Sequence, residues 1–238
     1  MMTIVHRSPM RSSEQVIGQE ERGGFMLLSY LRNATDSTNL QKASDKEHSM
    51  NLTGRTILIT GGSAGIGLAF AEKFLALGNT VIITGRSIAK LEAAKSAHPA
   101  LHTIQCDAAD PGALQALAAR IAAEHPTLDV LLNNAGIFEY RNLSAGTDDL
   151  VWLTREIEVN LMGAIRTISV LVDRLKTNQG TIINVSSGLA FVPLQAAPIY
   201  CATKAGLHSY TITLRQQLAG KVEVIELMPP AVKTALTE

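Results

Sequence analysis

The sequence predicts an α/β protein in which a parallel sheet is covered by helices on both faces. Three observations carry this expectation. Short apolar runs recur from residue 51 onward with helix-length segments between them, and one run opens through a glycine cluster into a helix. The composition is that of a globular protein, 46% apolar, 4% aromatic and 18% charged. Parallel strands need helical, right-handed crossovers that bury them on both sides, so continuous apolar runs are expected rather than alternating ones.

Residues 1–49 carry mixed charge with Ser, Asn and Gln and no sustained periodicity, and are expected to form a disordered extension. A targeting or partner-binding arm is the alternative, although its acidic residues spoil a transit-peptide reading. The domain proper is read as residues 50–238. Its first strand falls at 56–60 and runs into Gly61-Gly-Ser-Ala-Gly65-Ile-Gly67, and a helix-period run from Leu68 to Leu77 stops at Gly78. Further strands are expected at 80–84, 101–106, 128–132, 180–185 and 222–228, and a long helical segment from about Asp148 to Lys176. Only the stretch from Phe138 to Gly146 lacks periodicity inside the domain. This order of elements is a doubly wound Rossmann fold.

Composition also excludes. With 21 basic and 21 acidic residues the net charge is zero, which argues against a nucleic acid or an anionic membrane as partner. The longest early apolar run, Phe25 to Leu31, is too short to span a bilayer, so the cytoplasm is the default setting. Cys106 and Cys201 read as free thiols, and the six His show no metal-ligand spacing, so no metal is assigned.

The chemistry concentrates in two places. Tyr200 and Lys204 lie four residues apart on one helix face, where a cation can activate a phenol that otherwise titrates near pH ~10. Pro198 suits the first turn of that helix. The glycine loop between strand and helix is the setting in which a backbone approaches a pyrophosphate and a helix N-terminus faces it. A surface Lys over a half-buried Tyr, and a tight turn, are the plainer readings of the two.

Together, Thr60 to Gly67, Asp107, Asn133-Asn-Ala-Gly136, Asn160, Ser187, Tyr200 and Lys204 resemble the short-chain dehydrogenase/reductase family. Ser186 to Pro193 and Met228-Pro-Pro-Ala-Val232 resemble its bacterial branch named after the D-alanyl-lipoteichoic-acid operon, the DltE-like oxidoreductases. The resemblance implies an oxidoreductase that interconverts a carbonyl and an alcohol with a catalytic set of Asn160, Ser187, Tyr200 and Lys204. Ser187 would bond the substrate oxygen and Tyr200 would donate the proton. Lys204 would lower the phenol pKa and bond the nicotinamide ribose, and Asn160 would hold a water on the proton relay. The implied cofactor set is Gly61, Ser63, Gly65, Ile66, Gly67, Arg86, Asp107, Ala108, Asn134, Ala135 and Gly136, with Tyr200, Lys204, Val232 and Thr234.

Gly85 stands where NAD-preferring relatives carry an acid, and Arg86 can grip a 2′-phosphate, so NADP is expected over NAD. Arg86 as a cap of the next helix is the alternative. Asp107 is also explained as a strand-ending acid, Asn-Ala-Gly as turn chemistry, and Asn160 as an incidental helix Asn. Leu189, Phe191, Val192, Leu194, Ile137 and Phe138 suggest an apolar small-molecule pocket or, alternatively, core. Met50 matches the usual family start, and the sequence stops at Glu238, short of the family's lid and seventh strand. Hence a cofactor binder with little turnover is the competing expectation, alongside pairing into a homodimer through the long helices.

Overall fold

A computed structural model describes residues 52–146 and 149–229. The expectations for residues 1–49, Val232 and Thr234 lie outside these. Six strands form one parallel sheet: β1 (Thr56–Ile59), β2 (Thr80–Gly85), β3 (His102–Gln105), β4 (Val130–Asn133), β5 (Thr181–Val185) and β6 (Glu223–Leu227). All six coincide with sequence-predicted runs. Their order is β3-β2-β1-β4-β5-β6, so the winding reverses between β1 and β4. That switch point opens a crevice at the carboxyl ends of the strands.

The helices are α1 (Gly65–Ala76), α2 (Ile88–Ala97), α3 (Pro111–Glu124), α4 (Leu150–Ile157), α5 (Gly163–Thr177) and α6 (Pro198–Gln217). Strand pleating divides the core in two. Ile57, Ile59, Val81, Ile83, Val130 and Leu132 pack with Phe70 and Phe74 of α1 and Leu91 of α2. Leu58, Ile82, Leu131 and Ile182 pack on the other face with Leu117 of α3, Leu171 of α5 and Leu214 of α6. Strands buried from both sides account for the unbroken apolar runs in the sequence.

Two local differences from the sequence reading bear on function. First, α1 begins at Gly65, not at Leu68, because Gly61 and Gly65 adopt positive φ of 66° and 54° and turn the chain into the helix early. Second, the long helix predicted from Asp148 to Lys176 is interrupted: α4 and α5 are joined by one π turn, Glu158–Met162. Asn160 sits inside that turn, the kind of helical irregularity that recurs at functional sites.

Candidate active site

Thr60 follows β1 and ties the glycine loop to the end of β4. Its Oγ1 accepts from the N–H of Asn134 and of Ala135, both at 3.0 Å. The Asn134 amide returns two bonds, to the carbonyls of Thr60 (3.1 Å) and Gly61 (3.2 Å). Asn134 thus does turn work here while its residue lines the crevice. Packing is close enough that a Cβ on Gly61 would meet the Ala135 Cα at 2.8 Å. A Cβ on Gly67 would come within 2.5 Å of both the Asn134 Nδ2 and the Gly61 oxygen.

A cavity of about 360 Å³ lies along this seam. Gly61, Ser63, Gly65, Ile66, Arg86, Asp107, Ala108 and Asn134 to Gly136 line it, which brings together most of the sequence-predicted cofactor set. Gly67 is buried behind the loop. Ala64 caps α1 with no side-chain hydrogen bond, and the first turn carries no acid, so the helix N-terminus offers its N–H groups and positive end to the cavity. A dinucleotide pyrophosphate fits this cradle.

At the far end of the cavity, Gly85 leaves room for Ser63, whose Oγ would stand 2.9 Å from a Cβ at position 85. Arg86 does not cap α2. Ser87 does, its Oγ accepting from the Lys90 N–H at 3.3 Å, and this leaves the exposed Arg86 guanidinium and Lys90 ammonium on the cavity wall. Lys90 was missed in the sequence, although a second basic residue in the first turn of the helix that follows Arg86 was the available signal. Asp107 lines the cavity and also accepts from the Ala109 N–H at 3.0 Å, which is the turn that its strand-ending reading expects.

The second half of the site lies on β5 and α6. Ser187 follows β5 and its Oγ accepts from the Leu189 N–H at 3.1 Å, starting the short 3₁₀ turn Gly188–Ala190. Tyr200 and Lys204 are both buried on α6. Burial pushes the Tyr200 phenol upward, and a hydrogen bond with the Ser187 hydroxyl pulls it partly back. The expectation that Lys204 holds the phenol low is therefore corrected: burial sets the direction, and the only partial lowering comes from Ser187. The Lys204 Nζ lies 5.6 Å from the Tyr200 ring centre and donates to the Val185 carbonyl at 2.8 Å. Burial brings this ammonium down to about 8.

Asn160 is buried and committed. Its Oδ1 accepts from the Ile137 N–H (2.8 Å), and its Nδ2 donates to the Ile137 carbonyl (2.8 Å) and to Thr203 Oγ1 (3.3 Å). It therefore joins the β4 loop to α6 between Tyr200 and Lys204. Of the six apolar residues read as pocket or core, Phe191, Val192 and Leu194 are exposed, which excludes core for them. Ile137 lines the cavity and the Phe138 ring stands edge-on to Tyr200 at 4.8 Å. Cys201 accepts the Leu194 N–H at 3.2 Å and so fastens the loop before α6, whereas Cys106 is buried with its thiol pushed up to about 11. Among the described residues no helix is long and apolar enough to cross a membrane.

A sheet with its switch-point cradle beside a half-buried Ser and a buried Tyr and Lys defines a class of enzyme, and the comparisons agree. The model of the short chain dehydrogenase family matches residues 55–238, and this chain belongs to that family of NAD(P)-binding oxidoreductases. Within it, the chain falls in the DltE-like branch: it is 48% identical over 191 residues to the uncharacterized oxidoreductase DltE of Bacillus subtilis, covering 79% of this chain and 76% of that one. It is 28% identical over 224 residues to an uncharacterized oxidoreductase of Mycobacterium tuberculosis, across 91% of this chain and 64% of that protein. Among solved structures, the L-sorbose reductase of Gluconobacter frateurii complexed with NADPH and L-sorbose superposes with a TM-score of 0.72 at 29% identity, over 78% of this chain and 73% of that one.

Proposed function

We propose that this enzyme interconverts a small-molecule carbonyl compound and its alcohol with NADP. The observation that carries the reading is the buried pair Tyr200 and Lys204, one helical turn apart on α6, next to Ser187 after β5 and a cradle shaped for a dinucleotide. When bound, the cofactor supplies or accepts the hydride. The glycine loop from Gly61 to Gly67 would take its pyrophosphate, Asp107 and Ala108 its adenine, Asn134 to Gly136 its ribose, and Lys204 its nicotinamide ribose. Val232 and Thr234 would take its carboxamide. Arg86 with Lys90 favours a 2′-phosphate, since no acid stands at Gly85 to repel it. The NADPH held by the L-sorbose reductase supports the same choice.

In reduction, Tyr200 must give up a proton. Burial raises its pKa, so the phenol is protonated at neutral pH and competent to donate. Ser187 polarises the substrate oxygen from the other side, and the Lys204 ammonium stabilises the phenolate left behind. Asn160 holds the β4 loop and α6 at fixed separation. One domain over residues 50–238, a cytoplasmic setting and a homodimer complete the proposal, the last two resting on composition and on family resemblance. The test is NADPH titration followed by a screen of aldehydes and ketones: Tyr200→Phe should bind NADPH like the parent and lose nearly all turnover. Retained turnover would remove Tyr200 from the role of acid.

A further inference from the structure

Glu156 is a buried carboxylate with no part in the scheme above. Its side chain is wholly inaccessible at the end of α4, about one turn before Asn160 on the same helix face. Both reach the same piece of chain. Asn160 brackets the main chain of Ile137, whereas Glu156 Oε1 accepts from the Glu139 N–H at 3.1 Å and Oε2 from Arg141 Nε at 3.3 Å. The spacing is commensurate: four helical residues rise about 6 Å, and two residues of extended chain advance about 6.6 Å.

Arg141 completes the clip. Its guanidinium is 1% exposed, donates from Nη2 to Glu139 Oε2 (2.9 Å) and to the Trp152 carbonyl (3.1 Å), and lies 3.3 Å over the Trp152 ring centre. Its main-chain N–H donates to the Ala196 carbonyl at 2.8 Å, which binds this loop to the one that leads into α6. With residues 137, 139 and 141 fastened toward α4 and the turn after it, residues 138 and 140 face the other way. Their rings touch at 5.0 Å, and Phe138 meets the Tyr200 ring.

We propose that Glu156 is a positioning residue for Tyr200: by holding Glu139 and Arg141 it fixes the Phe138 ring against the phenol, and with it the place a substrate carbonyl takes beside the hydroxyl. This rests on Tyr200 being the proton donor. The charged groups around the clip are Glu139 and Arg141 on the loop, with Tyr200 and Lys204 on α6. A carboxylate in this position also disfavours the phenolate, in keeping with the upward direction of the Tyr200 pKa.

The experiment compares the parent with Glu156→Gln, Phe138→Leu and the double variant. Tyrosines labelled at the ζ carbon are titrated by NMR, with and without NADP, and the Tyr200 signal is assigned by its loss in Tyr200→Phe. Glu156→Gln should move the Tyr200 titration to lower pH, because a negative charge is gone. Turnover of whichever aldehyde or ketone the parent reduces should fall about tenfold in kcat for each single variant, and no further in the double, with the NADPH dissociation constant within about twofold of the parent. An unmoved titration, or losses that multiply in the double variant, overturns the proposal. Should Glu156→Gln fail to fold, Phe138→Leu carries the test alone, since it removes no buried charge: unchanged kcat and an unshifted Tyr200 signal then overturn it. An inactive Tyr200→Phe beside normal Glu156→Gln and Phe138→Leu would sink this inference and leave the proton donor standing, whereas an active Tyr200→Phe would sink the donor itself.

Discussion

Replacing Lys204 by methionine should stabilise the protein at neutral pH while abolishing its chemistry. Lys204 is buried on α6 and the only hydrogen bond of its ammonium among the described residues is to the Val185 carbonyl. Burial lowers its pKa from 10.5 to about 8, which corresponds to about 3 kcal/mol of penalty on the charged form when both states are protonated. The sign follows from proton counting. Between about 8 and 10.5 the unfolded chain holds a proton that the folded protein has released, so stability rises with pH across that window, by at most ~1.4 kcal/mol per unit. Below it the full penalty applies. An uncharged thioether side chain would escape the penalty but leave the Val185 oxygen without this donor, a loss of about 1 kcal/mol. The net expectation at pH 7 is a gain of about 2 kcal/mol, shrinking and reversing by about pH 10. Cys106 titrates in the opposite sense: its thiol rises from 9.0 to about 11, so stability falls between those values in both proteins and cancels in the difference. Urea denaturation of parent and Lys204→Met from about pH 7 to 10 measures that difference directly. A difference that stays flat with pH would refute the reasoning, since no proton would then be taken up differently at Lys204.

Arg86→Ala and Lys90→Ala should each weaken NADPH about tenfold and leave NADH unaffected, with the loss shrinking at high salt; nucleotide titration checks this, and equal losses for both nucleotides would remove the 2′-phosphate contact. Gly67→Ala drives a methyl to within 2.5 Å of the Asn134 Nδ2 and the Gly61 oxygen, so it should lower stability by about 1–3 kcal/mol and weaken both nucleotides alike; an unchanged melting temperature would contradict the close packing. Asn160→Ala frees the Ile137 N–H and carbonyl together and should cost about 2 kcal/mol of stability with a large fall in kcat; denaturation and steady-state rates are the readouts.

The six strands and the switch-point cradle were legible in the sequence because each rests on a local signal. Ile57 to Ile59 and Val81 to Ile83 are apolar on both faces, and Gly61 and Gly65 announce a turn that only positive φ allows. Asn160 was legible only as a residue against its helix, and its partners supply the physical reason for the residue type: its amide satisfies both polar groups of Ile137 from within the π turn. Glu156 carried no such signal. A Glu in a helix reads as solvated face, and what buries this one is Arg141, fifteen residues earlier in a loop without periodicity. The direction of the Tyr200 shift was misjudged because Lys204 seemed a free cation on the same face, whereas its Nζ is spoken for by Val185.

What holds α6, and Tyr200 with it, beside the end of β5 is a line of polar contacts through apolar packing. Asn133 Nδ2 donates to Asn184 Oδ1 across β4 and β5 (2.9 Å), and Asn184 Nδ2 donates to Thr211 Oγ1 on α6 (2.9 Å). Thr203 receives the amide of Asn160, and Lys204 reaches Val185, two residues before Ser187. Leu207 and Leu214, on the same helix, pack into the buried interior. Apolar burial supplies the greater part of the free energy but is non-directional, so it tolerates a helix that slips or rotates. Hydrogen bonds to named partners do not: a shift of α6 by one residue turns each of these groups by about 100° and strands it in a dry interior, at about 1–3 kcal/mol per unpaired group. The contacts of Thr203, Lys204 and Thr211 therefore exclude the neighbouring registers of this helix far more strongly than the apolar contacts do. Because the Lys204 contact is made to the last residue of the strand that leads to Ser187, the bond that satisfies a buried ammonium also ties α6 to the end of β5.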